Sequence, residues 1–386
     1  MAADLAGGVT TGIRLTVCGD AHFDNFGLFS SPERALVFDL NDFDEASEGP
    51  WEWDVKRLVT SVVVGGRSFG FSDDESRRAA LETAKLYRQS LQAMMKFTVL
   101  DRYYFRLDRD PTGLGLSALS PTARKVLYKA RRQALKRTSE AAVDKITIRA
   151  PDGTRRIVEQ PPLLTHLNLS TQEQVEHLFE DYRRTVPADV AQLLSQFSLT
   201  DAALRVVGVG SVGTRCHIVI LTGPQQESLV LQIKEAQESV LSSFGGVEAQ
   251  NPAETTSLPV EAIEGYRVVA NQRILQAVSD PFLGHLCFGG RDYFVRQFRD
   301  RKGSIEVARL RAPEFTTYVG RCASVLARSH AQSHDAAMVA GNLGSAPTFD
   351  RAVTEWAFAY ADQSLAHYES LRAAVDSGAV EAVHGI

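Results

Sequence analysis

The chain has 386 residues, 44% hydrophobic and 23% charged, with 42 basic against 47 acidic side chains for a formal charge of −5. That length suggests one large or two ordinary domains, and the balance is that of a folded, soluble protein; it excludes a disordered chain and one drawn to nucleic acid by overall positive charge. The 4 cysteines (Cys18, Cys216, Cys287, Cys322) lie far apart with no C-x-x-C pair, which excludes a disulfide framework and a zinc ribbon and fits a reducing compartment. The most apolar stretch, 58–66, is too short for a membrane span, and Met1-Ala-Ala-Asp4 lacks the features of a secretory leader, so a cytoplasmic protein is expected.

In chain order, residues 13–18 alternate and read as a strand ending at Gly19-Asp20, and 35–40 read as a second strand after a turn at 30–33. Val55, Leu58, Val59, Val62 and Val63 form an apolar stripe that predicts a buried helix over about 53–67. Ser72-Asp-Asp-Glu75 is a capping pattern and opens a helix to about Thr98. A further helix spans 121–145 and carries Arg124, Lys125, Lys129, Arg131, Arg132, Lys136 and Arg137. Such a run fits either an anion-binding surface or, more commonly, a solvated helix face. Pro151-Asp-Gly153 turns between strand-like flanks, which suggests a hairpin, and Val186-Pro187 breaks a helical run over 170–197.

The character changes near residue 202. Residues 204–208, 216–221 and 229–233 are apolar and β-branched between Gly-rich or polar turns, as in an antiparallel meander. A polar loop at 243–258, a helix over 262–278, a strand over 293–298 and helices from Pro313 onward follow. The expected organisation is helical over 1–201, sheet-rich over 202–300 and helical over 301–386.

Three constellations carry chemistry. The first is Cys18-Gly-Asp-Ala-His-Phe-Asp-Asn25, in which Asn25 follows Asp20 by five positions. In phosphoryl transfer an Asp accepts the proton of the attacking hydroxyl while a nearby Asn ligates magnesium, and this spacing lets one tight loop aim both. The second is Val37-Phe-Asp-Leu-Asn-Asp-Phe-Asp-Glu45, where Asp39, Asp42, Asp44 and Glu45 crowd into seven positions. Acids so close repel one another unless they are solvated or a hard cation such as magnesium sits among them. A short turn between two strands would bring the two clusters side by side.

The third is Gly208-Val-Gly210-Ser211-Val-Gly213 between strands, followed by Lys234. A dinucleotide fold needs a helix after such glycines, whereas here a strand continues, so the loop reads as a hairpin tip whose backbone N–H groups approach phosphates. A Lys on a following strand then pairs with the α/β-phosphates. No GK[ST] ending is present, which argues against a P-loop. Separately, each cluster is weak; together they are the parts of a kinase-like phosphotransferase in an unusual order. Circular permutation explains that order: a sheet-rich lobe inserted between two parts of a helical lobe, an α+β protein.

The runs Cys18–Gly27 and Val37–Leu58, with the pieces 232–236, 279–284, 293–300 and 326–331, resemble an uncharacterised bacterial domain-of-unknown-function family related to the protein-kinase-like superfamily. The resemblance covers nearly the whole chain. The first half is also similar to aminoglycoside and choline phosphotransferases. The resemblance implies that Asp20 is the catalytic base, with Asn25 beside it as a metal ligand. It makes Asp42 the main magnesium ligand, within the acidic loop that includes Asp44, and Asp54 a carboxylate bracing the loop. It implies an ATP- and magnesium-dependent enzyme acting on an unidentified hydroxyl acceptor, with Gly208, Gly210, Ser211, Gly213 and Lys234 holding the nucleotide. Glu264 is the favoured acid partner of Lys234, with Glu261 as the other candidate.

Two departures stand out. Cys18 occupies a place usually held by His in those phosphotransferases, and the resembling family carries a further segment ahead of the residues matching Met1–Leu5. A catalytically weak nucleotide-binding or regulatory, pseudokinase-like module is therefore the alternative. A metallohydrolase built on Asp20, His22, Asp39, Asp42 and Asp44 ranks lower because it leaves Lys234 unused. His330 and His334, four apart on a helix, could share a metal, but packing is the more ordinary role. Ser211 does not fit a nucleophile elbow, which requires a following helix.

Overall fold

Helix formation in the first half follows the sequence periodicity. The stripe at 55–63 is buried on α2 (Trp51–Ser68), which follows α1 (Ala2–Leu5) and four short strands: β1 (Arg14–Val17), β2 (Phe26–Ser30), β3 (Leu36–Leu40) and β4 (Ser47–Pro50). Ser72 caps α3 (Asp73–Met94) with a full capping box: its side chain accepts from Glu75 N, and the Glu75 carboxylate accepts from Ser72 N. Helices α4 (Val99–Tyr104), α5 (Pro121–Lys136) and α6 (Ser139–Ile146) follow. The computed structural model describes residues 1–106, 121–136, 139–150, 154–166, 172–206, 213–248, 263–298, 303 and 305–382.

The hairpin expected around 151–153 is formed by β5 (Thr147–Arg149) paired antiparallel with β6 (Arg155–Ile157). After β7 (Leu164–His166) come α7 (Gln172–Arg183) and α8 (Ala188–Leu194), with Pro187 as the N-cap of α8. The larger sheet contains β8 (Ser198–Arg205), β9 (Cys216–Thr222), β10 (Ser228–Ala236), β11 (Gly284–Phe288) and β12 (Arg291–Gln297). Its order is β11-β12-β10-β9-β8-β7, every neighbouring pair antiparallel. The sheet thus begins at Leu164 and Ser198, ahead of residue 202.

Between β10 and β11 lie α9 (Val240–Ser243) and α10 (Ile263–Leu275), and α11 (Ala312–His330), α12 (Ala336–Leu343) and α13 (Thr348–Asp376) follow β12. The chain is a mixed α+β protein. Its main core gathers β1–β3, α2, α3, α11 and α13 with residues of α10, and includes Trp51, Leu58, Tyr87, Phe315, Leu326 and Phe358. A second core lies between one face of the six-stranded sheet and α7–α8. On α5, Arg124, Lys125, Lys129, Arg131, Arg132 and Lys136 are exposed while Val126, Ala130 and Ala134 are buried, as a solvated helix face requires; Arg137 lies outside the described residues. No described helix is long and apolar enough to cross a membrane.

The end of α11 returns to the start of the chain. Ser333 Oγ accepts from Thr16 N at 3.0 Å, so the turn after α11 abuts β1. Residues from the two ends of the sequence therefore build one layer.

Candidate functional site

The loop after β1 is shaped by one buried carboxylate. Asp54, in the first turn of α2, is 1% exposed and accepts from Cys18 N at 2.6 Å and Gly19 N at 2.9 Å. His330 Nε2 lies 3.1 Å from Asp54 Oδ2, and Tyr87 Oη lies 2.7 Å from His330 Nδ1. Hydrogen bonds to a charged acceptor are each worth about 1.5–3 kcal/mol, so this relay fixes the loop firmly. Gly19 adopts φ +79°, and a Cβ there would stand 2.4 Å from the carbonyl oxygen of Glu45. The two acidic segments approach too closely for any side chain at that point.

Asp20 is held half-exposed at the end of this loop. Its carboxylate is ion-paired with Arg57 of α2, and His22 Nε2 lies 3.6 Å away. Asn25 Nδ2 donates to the Asp20 carbonyl at 2.7 Å, which turns the acceptor oxygen of the amide the other way. The β2–β3 hairpin then delivers the second acidic segment beside the first. Asn41 N donates to Asn25 O at 2.9 Å, and the Cys18 thiol donates to Asp42 O at 3.2 Å. Burial, then the charge of Asp54, pushes the Cys18 thiol well above its ordinary pKa, so it is a neutral packing group.

Lys234 reaches this place from the larger sheet. It lies near the end of β10, opposite Cys216 on β9 and Phe294 on β12, and its Nζ hydrogen-bonds Asp44 Oδ2. Burial and the neighbouring Asp42 carboxylate push the Asp44 carboxyl up to about 6, against the opposing pull of Lys234 and Arg296. Asp44 Oδ1 is buried without a hydrogen-bond partner. Of the glycine loop, Gly213 is described and takes φ +95° three residues before Cys216. Gly208, Gly210 and Ser211 lie outside the described residues.

Glu264 does not pair with Lys234. It sits in the first turn of α10, where its carboxylate accepts from Arg267 Nε at 2.5 Å one turn on, and its backbone N–H donates to Asp292 at 2.8 Å. The acid on Lys234 is Asp44. Glu261 lies outside the described residues. Arg267, 3% exposed, also donates to the carbonyls of Ala46 (2.6 Å), Asp44 (2.9 Å) and Gln237 (2.7 Å), and Asn271 donates to Ala46 O at 3.0 Å. Glu45 completes the seam, with its carboxylate accepting from Val240 N at 2.7 Å and its carbonyl from Ser239 Oγ at 2.8 Å.

A cleft of ≈ 330 Å³ opens beside Asp20, walled by Gly19, Glu45, Trp53, Arg57 and Phe244. Chemically, the site offers a lysine for an anion, adjacent carboxylates for a hard cation, and Asp20 at an open cleft as a proton acceptor. Among the described residues no group of three or more His, Cys, Asp or Glu forms a ready-made metal cage. The unpartnered Asp44 oxygen and its mutual repulsion with Asp42 nevertheless suit magnesium, which keeps several waters and takes only one or two protein carboxylates. His330 and His334 do not share a metal: the first is buried between Asp54 and Tyr87, and the second is 99% exposed.

Sequence reasoning missed Arg57, Arg267 and Asn271. The only cue for the last two was a polar pair four apart on α10. Arg57 lies within the family-like run Val37–Leu58, but nothing in the sequence pointed to its pairing with Asp20.

A family described as an uncharacterized protein conserved in bacteria (DUF2252) matches residues 1–374. The chain belongs to that family. No curated protein and no solved structure matches it. The DUF2252 match runs from residue 1 into α13, so both acidic segments and the strand bearing Lys234 fall within one family domain.

Proposed function

We propose that this DUF2252 chain is an ATP- and magnesium-dependent phosphotransferase with a circularly permuted, protein-kinase-like two-lobe fold. The observation that carries this reading is the bond between Lys234 and Asp44, which joins a mid-sequence strand to the acidic loop near the start of the chain. Nucleotide phosphates would lie under Gly208, Gly210, Ser211 and Gly213 and pair with Lys234, which would exchange Asp44 for phosphate oxygen. Asp42, Asn25 and the released Asp44 would hold magnesium, whose charge, when bound, offsets that of the transferring phosphoryl group. Asp20 would orient the acceptor hydroxyl in the adjoining cleft and take its proton, with Asp54 holding the loop in register. Positioning and electrostatics carry most of the rate enhancement in such chemistry.

A second reading, a nucleotide-binding regulatory module without turnover, is favoured by two contacts: Glu264 engages Arg267 and not Lys234, and Arg57 neutralises Asp20. Thermal shift with ATP and magnesium, followed by ATP turnover in the presence of a hydroxyl-compound library, separates the two. The enzyme reading expects Asp20→Asn to keep the thermal shift and to lose turnover by about 100-fold or more. A shift without Asp20-dependent turnover would support the module, and no shift with ATP would end both.

A further inference from the structure

On the far side of α10 lies a second pocket of ≈ 650 Å³, within the 300–1,000 Å³ range usual for ligand sites. The phosphotransfer reading does not use it. Its walls come from α4, the end of α10 with the Ser279-Asp280-Pro281 turn, and the last turn of α11. Ser279, Asp280 and Pro281 of the sequence piece 279–284 and Arg328 of the piece 326–331 thus meet here, while His330 of the latter faces Asp54.

The pocket is built around Arg328. Arg328 is 4% exposed, yet among the described residues its guanidinium makes one hydrogen bond, from Nη1 to Leu275 O at 2.9 Å, and its Nε is buried without a partner. A buried guanidinium carries five donors and a full charge, so leaving most of them unused is costly unless an anion completes the site. Asp39 answers part of that charge, but its two oxygens already accept from Leu40 N and Ala277 N, each at 2.9 Å. Two more cations face the same space. Arg273 uses one donor on Leu283 O at 2.7 Å, and Arg106 stands 3.7 Å from the exposed Glu33. The other acid on the wall, Asp280, accepts from the backbone of Phe282 and Gln297. Tyr103 and Tyr104, 64% and 72% exposed, present edge-to-face rings at the rim. Exposed aromatic faces of this kind stack on flat ligands.

We propose that this pocket is a second ligand site, taking a small organic oxyanion (a phosphate or a carboxylate) carried on a flat ring. The oxyanion meets Arg328 and Arg273, and the ring lies against Tyr103 and Tyr104. The site is separate from the Asp20 cleft and stands whether or not the chain transfers phosphate.

Isothermal titration calorimetry of the full chain with phenyl phosphate, benzoate and uncharged phenol tests it. At least one of the two anions should saturate a single site and phenol should not; the stronger of the two anions identifies the headgroup. Arg273→Gln should weaken binding about tenfold, equivalent to about 1.4 kcal/mol, and Lys234→Ala should leave it unchanged. Arg328→Met should abolish binding; if that variant fails to fold, Arg273→Gln and Arg106→Gln decide. No saturation by either anion at millimolar concentration, full affinity in Arg273→Gln, or loss of binding in Lys234→Ala would overturn the proposal.

Discussion

Asp44 sits between a repelling carboxylate and an attracting amine in a buried setting. Its carboxyl is pushed from the ordinary 3.8 up to about 6, first by burial and then by Asp42, while Lys234 pulls the other way. A folded-state pKa above the unfolded one means that folding favours the protonated form. This stabilising contribution is complete below about pH 3.8 and is lost as the pH rises through about 6. Urea midpoints without magnesium should therefore show a loss on the order of 1 kcal/mol between about pH 4 and about pH 6 that is absent in Asp44→Asn. Magnesium competes with that proton, so its thermal stabilisation should be larger at about pH 7.5 than at about pH 5, and equal shifts would remove Asp44 from the metal set. The crowding of acids at 39–45 was plain in the sequence, since it is a local count of charges. The partner that relieves it, Lys234, was legible only as a candidate for phosphate, because nothing in the sequence specifies a contact across a separation of 190 positions.

At the scale of elements, the turn after β1 depends on a residue without a side chain. Gly19 is in the left-handed region, and its missing Cβ makes room for the Glu45 carbonyl. Gly19→Ala should cost about 2 kcal/mol or more from backbone strain plus the clash, read as a lowered urea midpoint, and should reduce the thermal shift with ATP and magnesium. A midpoint unchanged from wild type would show that the two acidic segments can separate freely. The capping box of α3 could be read from four letters because its donors and acceptors are one turn apart. β2 escaped detection for the opposite reason. All five of its residues are buried, so no polar–apolar alternation marks it, and Leu28 bridges to Gly303 far along the chain.

For the whole molecule, Arg267 is the clasp between the two halves. Its guanidinium binds three carbonyls, on Asp44, Ala46 and Gln237, and the Glu264 carboxylate, so it ties α10 and the end of β10 to the acidic loop. Arg267→Met leaves buried carbonyls and an acid unpaired and should cost about 3–5 kcal/mol, seen as a lowered Tm. The same variant should weaken ATP–magnesium binding even though Arg267 itself is placed away from the phosphates. Wild-type nucleotide affinity in a destabilised Arg267→Met would mean that the acidic loop keeps its place without the clasp.

The amino-acid order alone determined the main helices, strands β9 and β10 of the meander, the hairpin at β5–β6 and the approach of Asn25 to the second acidic segment. Each of these depends on periodicity, turn chemistry or hydrogen bonds reaching only a few residues. Tertiary structure decided that Asp44 and not Glu264 meets Lys234, that Arg57 meets Asp20, and that His330 orders Asp54 instead of binding a metal. Those pairings follow from how the helical layer and the sheet come to rest against each other and which charges lose water as they do. Such desolvation depends on the packed arrangement of the whole chain, and no stretch of the sequence contains it.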